Sequence, residues 1–295
     1  MNQNSPITHR IERSLGDFVR ARTKGASREV IMFVLKQGWA ALFGMMFLIA
    51  LIGSKLLWQD DWPIARYDGL FAFAIITQVG MLYFKLETWE EGRVILALNL
   101  IGMVFELFKV HMGSWSYPEQ GLFVLAGVPL FAGFMYASVG SYIARVVRIF
   151  DMQFAPYPPL WATFAFGAAV YINFFTHHFT TDVRLGLFAL SLILFLRSRI
   201  WFYVDNTPRW VPLPAAIFLC ALGLWIAENI GTMTGTWIYA GQGAFELVSY
   251  AKIGSWYLLL WVAFVTVTLV SRGALSREAV QPPVRSSPSA TKTLD

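Results

Sequence analysis

The stretch VILALNLIGMVFELFKVHMGSWSY, residues 94–117, sets an apolar run from Val94 to His111 against a short loop of Gly, Ser, Trp and Tyr. Crossing about 30 Å of hydrocarbon takes roughly 20 helical residues, so the run reads as a membrane span. Seven further stretches match it: Gly38–Leu57, Tyr67–Phe84, Val124–Arg145, Leu160–His177, Val183–Tyr203, Val211–Ile230 and Ile253–Arg272. They predict an all-α polytopic membrane helix bundle of about eight transmembrane helices. Composition agrees. A chain of 295 residues that is 57% hydrophobic and 14% charged has too little polar side chain to cover a water-soluble globule. Its twelve Trp and eleven Tyr suit the two headgroup interfaces of a bilayer.

Orientation follows from counting basic residues on alternate sides of the spans. Only Lys55, Arg66, Lys109, Arg184 and Lys252 of the 23 Lys and Arg fall on one side, so the other side, with both termini, is expected to be cytoplasmic. The formal charge of +5 then serves topology, and no nucleic-acid partner is expected. The expected partner is the lipid bilayer. Cys220, the single cysteine, lies in an apolar run and reads as a small core residue, which excludes an intramolecular disulfide. Polar residues precede the first long apolar run, an order unlike that of a cleavable signal peptide, so the first span itself is expected to drive insertion.

The motif at the end of the first-quoted run occurs twice. Glu106, Gly113, Ser114, Trp115 and Tyr117 are matched by Glu228, Gly235, Thr236, Trp237 and Tyr239, at a constant offset of 122 residues. This signals a duplication of four helices, and an even number gives two parallel repeats about an axis along the membrane normal. The expected organisation is a basic cytoplasmic segment over 1–36, repeats over 37–150 and 151–272, and a disordered cytoplasmic tail over 273–295. Ile7, Ile11, Leu15 and Phe18 have helical spacing beside Arg10, Arg13, Arg20 and Arg22. That fits a short surface helix or a disordered basic tail equally.

Glu106 and Glu228 sit inside apolar spans, where an ionised carboxylate costs several kcal/mol unless paired, hydrated or protonated. They are the first catalytic candidates, as acid/base groups. The alternative is that each braces its loop by accepting backbone donors. Lys109, one turn after Glu106, could pair with it on the same face and is a candidate substrate-binding residue. His177 and His178 reach the same leaflet and complete the catalytic set as proton carriers or orienters. Together with His111 they could ligate zinc, but adjacent histidines diverge on a helix and no i, i+4 pair is present. No metal or other cofactor is therefore expected. Trp115, Tyr117, Trp237 and Tyr239, with Trp256, could pack on an isoprenoid or acyl chain, and Asn173 and Asn229 could orient a substrate or serve as interhelical hydrogen-bond glue. Gly133, Gly140 and Gly167 are expected to allow close helix packing.

The chain resembles a family of bacterial integral membrane proteins known as domain of unknown function 817. The resemblance rests on Phe105–Lys109, Gly113–Pro118, Gly127–Phe131, Gly140–Tyr142, Asn173–His178, Ala227–Thr232 and Gly254–Trp256. It implies a bacterial inner-membrane location and no established activity. Over Glu106–Leu130 the chain is also similar to membrane carotenoid cyclases and hydratases, in a helix-end Glu before a Gly-aromatic-Tyr loop and a Gly-Val-Pro-Leu entry to the next helix. The second copy departs from that pattern, since Lys252-Ile253-Gly254 stands where the entry would be.

The reading these residues support is a membrane-embedded enzyme doing Glu-based acid/base chemistry on a lipid or isoprenoid. Its rivals are a proton-coupled transporter, a metal-dependent lipid hydrolase and a non-catalytic assembly factor. Against transport, the acids cluster near one face, whereas a carrier site belongs near the midplane.

Overall fold

A computed structural model describes residues 7–59, 61–205, 208–243 and 246–278. Ten α-helices dominate them: α1 Ile7–Arg22, α2 Gly25–Ala40, α3 Leu42–Leu57, α4 Arg66–Tyr83, α5 Trp89–His111, α6 Phe131–Ile149, α7 Leu160–Thr176, α8 Arg184–Phe195, α9 Leu213–Met233 and α10 Ala251–Val267. Each of the eight apolar stretches overlaps one of α3 to α10. By length and composition α5 and α9 can cross a membrane, and α2 with α3 qualifies as a pair bent by 71°, while α7, α8 and α10 are shorter apolar helices.

Helix α5 starts where its sequence provides a capping box. Thr88 Oγ1 accepts from the Glu91 amide at 3.1 Å, and Glu91 Oε2 accepts from the Thr88 amide at 2.8 Å, which satisfies two amides left free by the first turn. Arg148 Nε donates to Glu91 Oε1 at 3.0 Å and ties the far end of α6 to this cap. Between those ends the two helices pack closely. A Cβ on Gly133 would lie 2.6 Å from Asn99 Oδ1, and one on Gly140 would lie 2.4 Å from Leu98 Cδ1, so both glycines allow the approach as expected. Gly167 has only ordinary contact, 3.7 Å to Val265, and plays no such part.

Three stretches differ from the expected spans. The all-α expectation gives way to a helical fold that also carries short strands. Residues 124–129 form a hairpin, β2 Val124–Leu125 with β3 Val128–Pro129, because Ala126 (φ 47°) and Gly127 (φ 81°) turn the chain through the left-handed region. Helix α6 therefore begins at Phe131 rather than Val124. Helix α8 stops at Phe195, and Arg199–Tyr203 is strand β5, paired with β4 Gln153–Ala155 on one side and β6 Pro208–Pro212 on the other. Ile200, Trp201, Phe202 and Tyr203 suit a strand as well as a span, and an apolar run alone does not separate the two. Helix α10 ends at Val267. The chain then returns through Arg272–Ala274, and Tyr157 and Ser276 exchange backbone hydrogen bonds with Ser276 and Phe154 at 2.7 and 3.0 Å. Ala274, Leu275 and Ser276 are thus half-buried, while Gly273, Arg277 and Glu278 are exposed; the rest of the 273–295 segment lies outside the described residues.

The leading segment is helical over α1, so the surface-helix alternative stands for Ile7–Arg22. Leu15 and Phe18 are exposed, Val19 is buried against Met32 and Phe150, and Arg20 reaches Asp205 at 3.2 Å. The side chains of Ile7 and Ile11 lie outside the described residues.

The candidate site at the paired helix ends

Helices α5 and α9 end identically, at His111 and Met233, 122 residues apart. Past α5 the Gly113 amide donates to Val110 O and the Ser114 amide to Lys109 O, at 3.0 and 2.9 Å. Past α9 the Gly235 amide donates to Thr232 O and the Thr236 amide to Gly231 O, at 2.9 and 3.0 Å. This is a Schellman closure, and it needs the left-handed backbone that Gly113 (φ 68°) and Gly235 (φ 64°) provide without steric cost. Each closure turns its loop back over the helix it leaves.

The two loops then pair with each other. Strand β1 Trp115–Ser116 runs antiparallel to β7 Ile238–Tyr239, with Trp115 opposite Tyr239 and Ser116 opposite Ile238. Since Tyr239 is the counterpart of Tyr117, this register is unchanged when the two loops are exchanged. Both Trp and Tyr side chains fold inward to a carboxyl of their own copy. Glu106 Oε2 accepts from Trp115 Nε1 at 2.7 Å and from Tyr117 Oη at 2.9 Å, while Oε1 accepts from Tyr136 Oη of α6 at 2.8 Å. Glu228 Oε1 accepts from Trp237 Nε1 at 2.9 Å and from Tyr239 Oη; its Oε2 accepts from Trp256 Nε1 of α10 at 2.7 Å. Each carboxyl, 2% and 5% exposed, is held by three aromatic donors. Burial first, and the neighbouring carboxyl second, hold the Tyr117 and Tyr239 hydroxyls well above the ordinary phenol value, so both remain donors.

A cavity of about 860 Å³ adjoins this pair. Glu106, Glu228, Trp115, Tyr117, Tyr136, Trp237, Tyr239 and Trp256 line it, and so do the cations Lys109, Arg184 and Lys252. The remainder is mainly apolar, including Met45, Leu48, Met152 and Phe202, with a few small polar groups such as Ser138 and Ser255 and the pair in which Tyr142 Oη donates to Gln37 Oε1 at 2.9 Å.

Lys109 does not pair with Glu106. The carboxyl is already filled by aromatic donors, and the Lys109 ammonium lies 3.2 Å from His177 Nε2 and 2.7 Å from His178 Nε2. His177 Nδ1 lies 2.8 Å from Asn173 O; as a donor there, it leaves Nε2 free to accept from the ammonium. Burial first, then the Lys109 charge, holds His178 below its ordinary value and keeps it neutral at pH 7. His177 lines the cavity; His178 and His111 do not. Asn173 and Asn229 also stay out of its wall. Asn173 Nδ2 donates to Asp182 Oδ1 at 3.1 Å, and Asn229 Oδ1 accepts from the Val248 amide at 2.9 Å, so both hold loops. Among the described residues no three His, Cys, Asp or Glu side chains gather around a common point.

Sequence reasoning missed Tyr136, Lys252 and Arg184, and did not assign Trp256 to Glu228. Tyr136 and Trp256 follow their acids by 30 and 28 residues, so the 122-residue comparison slides past them. Gly102 carried a usable signal: a Cβ there would lie 2.4 Å from the Tyr136 ring, so the small residue one turn before Glu106 makes room for its third donor.

An uncharacterised protein of Bacillus subtilis (strain 168), YoaT, is 39% identical over 243 residues, covering 82% of this chain and 91% of that protein. A crystal structure of a cross-linked MvINS trimer is similar over 63% of this chain and 95% of that chain, with a TM-score of 0.46 and 15% identity. These comparisons do not show the likeness to carotenoid cyclases and hydratases. The family described as a protein of unknown function, DUF817, matches residues 29–264. That match takes in both carboxyls, all six of their aromatic donors and the three cavity cations, and the chain belongs to the DUF817 family.

Proposed function

We propose that this chain is a bacterial inner-membrane enzyme of eight spans in two parallel four-helix repeats, acting on a lipid or isoprenoid held in the cavity, with Glu106 and Glu228 as its acid/base groups. The observation that carries the reading is the pair of buried carboxyls, each oriented by three donors, in the wall of a mainly apolar chamber of about 860 Å³ that three cations also line. That volume lies within the roughly 300–1,000 Å³ of single-ligand sites. The fixed donors would hold each carboxyl in one geometry, which is what a proton-transfer group requires. A helix overlapping each apolar stretch and the matching ends of α5 and α9 support the repeat.

One observation favours a second reading, a chamber that binds without chemistry. Both carboxyls are filled by side chains of their own protein, as bracing groups would be, though the donors are indoles and phenols rather than the backbone amides expected. The two readings part on Glu106→Gln, which loses substrate conversion under the first and keeps it under the second.

For topology, reporter fusions after Arg148 and after Leu275 should report cytoplasm, and fusions within Pro118–Gly121 and Gly241–Gly243 the opposite side. Motif loops reporting opposite sides would replace the parallel repeat with an inverted one, and would conflict with the β1–β7 pairing.

A further inference from the structure

Lys109 is 5% exposed, and no carboxylate lies within 4.0 Å of its ammonium among the described residues. Its nearest polar partners are two imidazole nitrogens. A buried cation with only neutral partners is costly unless an anion joins it. Two more cations share the cavity wall. Lys252 Nζ sits 3.9 Å above the Tyr239 ring and 5.6 Å from that of Trp115, held by the aromatic faces. Arg184 is paired with Asp182, yet its side chain also reaches the wall. The three line one cavity wall, and the charges of Lys252 and Arg184 both bear on Lys109, opposed in part by that of Asp182, so they form one cluster. The two Glu groups do not neutralise it by contact, because their oxygens are occupied by aromatic donors.

We propose that this cluster binds the phosphate-type headgroup of an amphiphile whose acyl or isoprenoid tail lies along the apolar wall at Met45, Leu48, Met152 and Phe202. Phosphate fits better than a carboxylate, since Arg184 already has Asp182 but Lys109 and Lys252 have no carboxylate in contact among the described residues, and a single charge would answer only one of them. The inference rests on the chamber reading above and adds the class of ligand. A headgroup at Lys109 would lie in the chamber whose wall carries the groups proposed to transfer protons.

The test uses the full-length protein purified in an uncharged detergent, with thermal stability measured against rising dodecyl phosphate, dodecanol or inorganic phosphate. Dodecyl phosphate should stabilise the wild type saturably, with at least tenfold weaker response to dodecanol and to inorganic phosphate. Lys109→Gln and Lys252→Gln should each weaken the dodecyl phosphate response about tenfold; Lys252, the less buried of the two, covers the case in which Lys109→Gln does not fold. An equal response to dodecanol, or an unchanged response in a folded Lys variant, would overturn the anionic headgroup and leave the chamber standing. An equal response to inorganic phosphate would overturn the amphiphile. No response to any of the three would overturn the chamber with it.

Discussion

Glu228→Gln should destabilise the protein by about 1–3 kcal/mol, the cost of an unsatisfied buried donor, while Glu106→Gln should leave thermal stability nearly unchanged. The asymmetry comes from which donors can reverse. An indole N–H can only donate, whereas a tyrosine hydroxyl can also accept. On Glu228 both oxygens face an indole, Trp237 on Oε1 and Trp256 on Oε2, so either orientation of the new amide sets its NH₂ against an N–H. On Glu106 the indole and one phenol share Oε2, and Oε1 faces only Tyr136. Glutamine can therefore direct its carbonyl to Trp115 and its NH₂ to the Tyr136 oxygen. Thermal unfolding of both variants in one detergent checks this. Equal losses in the two would mean that the carboxyls are not held as described.

Gly231→Ala should be more severe, about 2–5 kcal/mol from overpacking together with a lost buried hydrogen bond. A Cβ at Gly231 would lie 1.8 Å from Cη2 of Trp237, a distance no contact tolerates. The ring could move only by giving up its packing and its bond to Glu228 for the cavity that it lines. Trp237 is buried in a cluster with Tyr67 and Phe131, and Tyr67 Oη donates to Thr236 O at 2.7 Å, fixing the backbone beside it. The indole would leave Glu228, and the β1–β7 pairing would loosen with it. Gly186→Ala provides the comparison: a Cβ there meets nothing within 4 Å, and alanine suits a helix better than glycine by about 1 kcal/mol. A Gly231→Ala protein as stable as Gly186→Ala would contradict the assigned role of Trp237.

Much of the site was legible because duplication repeats residue types as well as spacing. Glu106 and Glu228 stood out as carboxyls in apolar runs, and Trp115, Tyr117, Trp237 and Tyr239 stood out by their equal distance from them. What those aromatics do was not legible. A Trp and a Tyr nine and eleven residues past a helical Glu face it only if the chain reverses, and that reversal depends on the left-handed Gly113 and Gly235. The sequence reading noted those glycines without drawing the closure from them. Lys109 was misdirected for a related reason: helical spacing placed it near Glu106, but spacing says nothing of competing donors from α6 and the loop. Strand β5 and the β2–β3 hairpin were hidden inside apolar runs, because hydropathy is shared by spans and buried strands, and only turn residues such as Ala126-Gly127 distinguish them. The cations Arg184 and Lys252 were counted for topology and not for chemistry, since they come together only through the packing of α8 and α10 around the cavity.

The central claim, that the two carboxyls act chemically on an amphiphile, is tested most directly by total lipid extracts from cells carrying the wild type, Glu106→Gln or no copy of the gene. Glu106→Gln is the informative variant because its donors can be satisfied and its fold kept. The account predicts that the wild type shifts one class of amphiphile relative to cells without the gene, and that Glu106→Gln, at equal expression, gives the extract of cells without the gene. A wild-type extract from Glu106→Gln would contradict it, and the carboxyls would then be braces in a chamber that only binds.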